Sequence, residues 1–316
     1  MATITRTVKS SGGDYSSLSA WEAGRQGNLV TAGNIERAEC YTMTDTTGFE
    51  IDGWTVDSSN YPFIEGASGQ TYNLSVTDAV CIFVYETALK INKISIGNVS
   101  PTSGRDILRI MSGYVDAGSY FEFSRMVFIG NNHASHTQSL ISINDSDSNV
   151  TVFNCLFRNL RVLTNNYAIN VNASTTCNCY NNTIVGGEVG IIRGGGNVIA
   201  KNNLLYTQTY PCFGTFATGT DYNVTDHPEM HYTVTGGGNT HDDVSQTFTF
   251  VDSGNGDYHL ASNDAGAIGL GVTDPGSGLF SDDIDGQTRS APWDCGADEE
   301  VSETVTVKPW YYYSQQ

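Results

Sequence analysis

Short runs of Val, Ile, Leu and Phe alternate with polar residues through the middle of the chain and return at nearly regular intervals. A first track holds Ile107-Leu-Arg-Ile110, Leu140-Ile-Ser-Ile143, Ala168-Ile-Asn-Val171 and Gly190-Ile-Ile-Arg193, whose last residues are offset by 33, 28 and 22. A second runs Phe121-Glu-Phe123, Val150-Thr-Val-Phe153, Thr176-Cys-Asn-Cys-Tyr180 and Asn197-Val-Ile-Ala200, with offsets of 30, 27 and 20. A third runs Met126-Val-Phe128, Leu156-Phe157, Ile184-Val185 and Leu205-Tyr206, with offsets of 29, 28 and 21. Upstream, Ile94-Ser-Ile-Gly-Asn98 matches Met126-Val-Phe-Ile-Gly-Asn131 with one residue inserted, which adds a further rung.

Three short strands per period, separated by Gly, Asn and Ser, predict an all-β chain coiled as a parallel β-solenoid with rungs stacked in register. A βαβ arrangement needs a helix between parallel strands, and the gaps are too short to hold one. A sandwich also has short strands and turn signals. Three tracks keeping one register over four rungs favour the solenoid. Asn159, Asn182 and Asn203 border third-track strands, where Asn tolerates left-handed backbone and can hydrogen-bond from rung to rung. The N-x-S/T matches at Asn73, Asn98, Asn149 and Asn223 are read as corner chemistry as well.

Terminal rungs of a solenoid expose an apolar cross-section, so both ends should be capped. Near the start, Ser16 or Ser17 is a helix N-cap, Leu18, Ala20 and Trp21 form an apolar face, and Gly24 is a stop. The expected organisation is an N-terminal strand and capping helix over 1–40, the β-helix over 41–235, a Gly-, Asp- and Ser-rich capping region over 236–300 and an aromatic tail over 301–316.

At these two ends the chain resembles a known group. Gly12-Gly-Asp-Tyr15-Ser-Ser-Leu18-Ser-Ala-Trp21-Glu is similar to the N-terminal cap of right-handed parallel β-helix proteins of the pectate-lyase-like superfamily. Asp257-Tyr-His-Leu-Ala, Asp283-Ile-Asp285-Gly-Gln-Thr-Arg289 and Trp293-Asp-Cys-Gly-Ala-Asp298-Glu299 resemble the closing segment of many such proteins. The resemblance implies the fold from about residue 12 to 299. It says little about activity, because the group includes lyases, galacturonases, epimerases, bacteriophage tailspikes and noncatalytic virion or adhesin shafts.

Charge narrows the partners. The 316 residues carry 34 acidic and 15 basic side chains, a net charge of −19, with no Lys/Arg run. That balance argues against nucleic acid and against anionic membranes, since phosphate affinity comes from clustered cations. No window is long and apolar enough for a membrane span or a signal-peptide core, so neither is expected. The 7 cysteines are odd in number and contain no CxxC, which predicts reduced, packed thiols, Cys177 and Cys179 included, and no metal set.

A lyase of the resembled superfamily would use calcium-binding carboxylates and a Lys or Arg base on one lateral face. The candidates are Asp145, Asp147, Arg158 and Arg161, although Asp145 and Asp147 lie in a Ser/Asn-rich stretch that reads as a solvated loop. A hydrolase would need two carboxylates across a cleft, to which Asp242, Asp243 or Glu188 could contribute. Arg289 is expected to bridge to Asp285, Asp298 or Glu299 and lock the cap. Histidines 136, 227, 231, 241 and 259 sit in polar sequence and are expected to titrate at the surface, as is His133.

Beyond the cap, Trp310, Tyr311, Tyr312 and Tyr313 follow an alternating, strand-like segment. Clustered aromatics are interface anchors, so they are expected to dock onto a partner, or back onto their own solenoid. Taken together, the expectation is a noncatalytic structural virion protein of a bacteriophage, a head decoration or spike component. It would be assembled in the host cytoplasm as a homo-oligomer, with a trimer as the resemblance-based choice, beside other virion proteins and without a cofactor. The alternatives are a polysaccharide lyase or glycosidase, with calcium only in the lyase case, and a glycan-binding module without turnover.

Overall fold

A computed structural model of the chain describes residues 1–77, 79–98, 106–111, 118–131, 138–162 and 165–300. Three parallel sheets of eight strands each coil into one β-helix. The chain visits the second-track, third-track and first-track sheets in turn, and each strand pairs with its counterpart one coil away. Inward side chains build a continuous apolar core, with Phe121, Phe123, Phe128, Phe157 and Phe216 fully buried.

The corner between the second and third tracks fixes the register. Lys93, Arg125, Asn154, Asn181, Asn202 and Tyr222 occupy equivalent places there, and each has a positive φ, between 47° and 61°. A single left-handed residue turns the chain, and the next strand starts at a fixed distance from it. Ser124, Phe153, Tyr180 and Lys201 therefore stack directly, as do Phe128, Phe157, Ile184 and Leu205. Both sets give offsets of 29, 27 and 21. The sequence expectation slips by one residue at two second-track steps and one third-track step. It aligns the last apolar residues, whereas the structure aligns the corners. First-track offsets agree with those read from the sequence, since Ile110, Ile143, Val171 and Arg193 stack.

The residue after the corner carries a second column. Asn182, Asn203 and Asn223 are completely buried. The backbone N–H of Asn182 donates to Asn203 Oδ1 at 3.1 Å, and that of Asn203 donates to Asn223 Oδ1 at 3.1 Å. Side-chain amides repeat the contacts at 3.0 and 2.9 Å, and Asp242 receives the last amide. Asn159 does not belong to this ladder. It is exposed, with φ 60°, at a bulge in the strand Leu156–Leu160.

The N-terminal segment is more than a cap. Strands Ala2–Val8 and Asn34–Cys40 pair over seven positions within the second-track sheet, so the solenoid begins at residue 2 rather than 41. Helix α1 (Leu18–Arg25) is inserted between them, with Ser17 as N-cap accepting from the Ala20 N–H. Leu18 and Trp21 are fully buried, and Trp21 meets Trp54 at 5.7 Å between ring centroids. Arg25 grips the buried Glu36 carboxylate with two hydrogen bonds of 2.7 and 3.0 Å. Gly24 does not stop the helix, which continues to Arg25. A Cβ there would come within 2.8 Å of the Tyr15 ring, so the glycine permits Tyr15 to close over the helix.

Beside α1, Glu86 accepts from the Trp54 backbone N–H at 2.7 Å, and burial pushes its carboxyl up to about 7, further raised by Asp52 and Glu22. The last strand of the first-track sheet ends at Val234. Among the described residues, no helix is long and apolar enough to cross a membrane.

Two measurements check these roles. Asn203→Ala removes both rungs of the ladder's centre and should cost about 3 kcal/mol or more in urea unfolding, while Asn178→Ala on the outer face should cost under about 0.5 kcal/mol. Glu86 has a folded pKa above its ordinary value, so its contribution is complete below the ordinary value of 4.5 and is lost as pH rises through about 7. Glu86→Gln should therefore leave Tm unchanged at acidic pH and raise it at about pH 8.

Candidate functional site

The lateral corner that carries the left-handed residues is also where the C-terminal region lies down. Asn154 Nδ2 donates to the carbonyl of Asp282 at 2.6 Å, Asn181 Nδ2 to that of Asp294 at 2.9 Å, and Asn202 Nδ2 to that of Val272 at 2.8 Å. Arg125, at the same corner one coil earlier, pairs with the Asp282 carboxylate. The part of the capping region that lies along this corner, a strap over residues 272–299, has its own backbone polar groups to satisfy, and a column of amides supplies both donors and acceptors at the coil spacing. The capping region therefore clasps the side of the solenoid over several rungs as well as meeting its end.

Arg289 is the clasp. Its side chain is fully buried. Nη1 donates to Glu299 Oε2 at 3.1 Å. Nη2 donates to Asn154 Oδ1 at 2.9 Å and to the carbonyls of Gly296 and Ala297 at 3.0 Å, and Nε donates to the Asp282 carbonyl at 3.1 Å. Of the three acids expected to bridge to it, Glu299 does so directly. Asp285 and Asp298 face His259 instead.

That histidine departs from the surface role expected of it, with 11% side-chain exposure. Alternation along the strand Asp257–Leu260 puts Asp257 and His259 on one side. His259 Nδ1 lies 2.5 Å from Asp257 Oδ1, and Nε2 lies 2.8 Å from Asp285 Oδ2 and 4.0 Å from Asp298 Oδ1. Burial works against the imidazolium, but hydrogen bonds with Asp257 and Asp285 outweigh it and push the ring up to about 11. Burial raises Asp298 to about 7, and burial together with Asp285 raises Asp283 to about 6. The spacing Asp-x-His in a strand was the one available signal, and it gains meaning only when Asp285 and Asp298 are brought up from 26 and 39 residues away.

The lyase candidates do not assemble. Asp145 is 2% exposed, while Asp147 is exposed at a turn with φ 67°. Arg158 is 1% exposed beside Tyr258, where burial lowers its pKa, and Arg161 is exposed past the bulge. Asp145 and Arg158 are buried and Asp147 and Arg161 exposed, so the four do not share one surface accessible to a substrate. Glu188 accepts from the Asn165 N–H at 2.5 Å. Asp242 ends the asparagine ladder and accepts from the Tyr232 hydroxyl, and His241 pairs with Asp221 at 2.7 Å.

All seven cysteines are buried free thiols, and Cys177 and Cys179 touch within the core. An open depression of about 700 Å³ at the last rungs, not anticipated from the sequence, is lined by Phe213, Met230, His231, Tyr232, Asn239 and Asp242. Phe213 is 49% exposed. Trp310, Tyr311, Tyr312, Tyr313, His133 and His136 lie outside the described residues.

The clasp predicts a large mutational cost. Arg289→Met leaves the Glu299 carboxylate buried without its cation and should lower unfolding free energy by about 3–5 kcal/mol. Proteolysis of the variant should cut first within the strap. Arg289→Lys should remain strongly destabilised, because an ammonium cannot span the acceptors that the guanidinium fork reaches.

Compared with protein-family models, curated proteins and solved structures, the chain matches none of them.

Proposed function

We propose that this protein is a noncatalytic structural component of a bacteriophage particle, a head decoration or spike element on a right-handed parallel β-helix. The supporting observation is the side clasp, in which a buried arginine, a column of corner amides and a long strap stiffen the body. Such an arrangement suits a shaft or platform that must stay folded outside a cell. The dispersal of Asp145, Asp147, Arg158 and Arg161 counts against the lyase alternative. In this reading the acidic surface solvates the particle, and the Trp310–Tyr313 segment docks onto other virion proteins in a homo-oligomer, for which a trimer is proposed.

A second reading rests on the depression at the last rungs. Phe213 offers an exposed ring beside Tyr210 and His231, with Asn239 and Glu229 as polar neighbours, a combination suited to holding a sugar ring without cleaving it.

Fractionation of phage particles carrying a tagged copy should place the chain in the particle band, and light scattering should give an oligomer. A chain found only in the soluble lysate as a monomer overturns the structural reading. Incubation with acidic and neutral polysaccharides, with and without calcium, should release neither unsaturated products nor reducing ends. Glycan retention lost on Phe213→Ala would establish the second reading.

A further inference from the structure

The His259 cluster has a feature that holding the strap in place does not require. Two of its carboxylate oxygens, Asp285 Oδ1 and Asp257 Oδ2, are buried and have no hydrogen-bond partner among the described residues. The Asp285 side chain is only 10% exposed and that of Asp257 fully buried. Leaving a buried carboxylate oxygen bare is costly, and each such atom needs a physical explanation. Charge points the same way. Asp257, Asp285 and Asp298 converge on a single imidazole, while the nearby Arg289 is engaged with Glu299.

We propose that His259, Asp285 and Asp298 form a binding site for one divalent first-row transition ion of the zinc or manganese class. One ligand atom from each of the three lies within 4.8 Å of the others. Ligands about 2.0–2.2 Å from a central ion sit roughly 3–4 Å apart, so small side-chain adjustments suffice. The three residues come from two segments, the strand Asp257–Leu260 and the strap, so the ion would tie the strap to the strand before it.

Asp257 completes the arrangement from behind. It accepts the Nδ1 proton and so orients Nε2 toward the ion, as outer carboxylates do for metal-bound histidines. Ion entry replaces the proton that lies between Nε2 and Asp285 Oδ2, and that proton leaves to solvent. The imidazolium thereby becomes a neutral imidazole, with Nδ1–H still donated to Asp257. One nitrogen and two carboxylates match borderline ions. Calcium takes six to eight oxygens and is not matched by this set. The proposal is independent of whether the protein belongs to a virion.

Metal analysis of the full chain tests it, after stripping with chelator, dialysis against Zn²⁺, Mn²⁺ or Ca²⁺ in turn, and gel filtration. The expected result is a single Zn²⁺ or Mn²⁺ per chain, no retained Ca²⁺, and a chelator-reversible rise in Tm of about 3 °C or more. Asp285→Asn and His259→Gln should abolish retention, while a His227→Ala/His231→Ala double variant should keep it. Substoichiometric metal in the native chain overturns the proposal and leaves a purely imidazolium-held strap, and so does retention lost only in the double variant. Should both site variants fail to fold, the Co²⁺-loaded native chain decides. Bands of nitrogen and oxygen ligation support the site, and a thiolate charge-transfer band assigns the ion to cysteine and refutes it.

Discussion

One left-handed residue per coil from Lys93 onward, between the second and third tracks, governs much of this molecule. It turns the chain from one sheet into the next within a single residue and fixes the phase of the strand that follows. Because side chains alternate with period two, a slip of one position would move a strand's apolar set to the outside. Repeating the same corner at Lys93, Arg125, Asn154, Asn181, Asn202 and Tyr222 keeps successive coils in phase although they differ in length. Length variation is absorbed elsewhere, as the identical second- and third-track offsets require.

The same corner generates two polar columns with different duties. The residue after it is buried, and where it is Asn the amide bonds to its own counterpart one coil away. The left-handed residue itself reaches the strap, so Asn154, Asn181 and Asn202 each hold a carbonyl of the capping region. Polar groups buried in this way are specific as well as stabilising, since any displacement of the strap would strand several donors at once. Arg289 then joins corner and strap in a single hydrogen-bonded unit.

Concentrating the strap's acids at one place has an electrostatic consequence. Burial raises Asp283, Asp294 and Asp298 above the ordinary carboxylate range, and the few buried cations must be shared among them. Arg289 and His259 divide that task by reach: the guanidinium fork spans carbonyls and Glu299, while the imidazole takes Asp257 and Asp285.

Periodicity pointed to a three-track parallel solenoid, because gaps too short for crossover helices exclude a βαβ arrangement and one register shared by three tracks favours a solenoid over a sandwich. It also placed an asparagine ladder at Asn182 and Asn203 and an apolar helix face at Leu18 and Trp21. The register to the last residue was not legible, since apolar residues mark strands loosely and a backbone dihedral marks the corner. Neither was the site. Asp257, His259, Asp285 and Asp298 fall in separate stretches that the sequence marks as a cap without saying which of them meet, and Arg289 has several acids within reach. Only the path of the strap across the solenoid's side decides which carboxylate meets the guanidinium and which meet the imidazole, because burial and proximity between distant segments are properties of the folded chain.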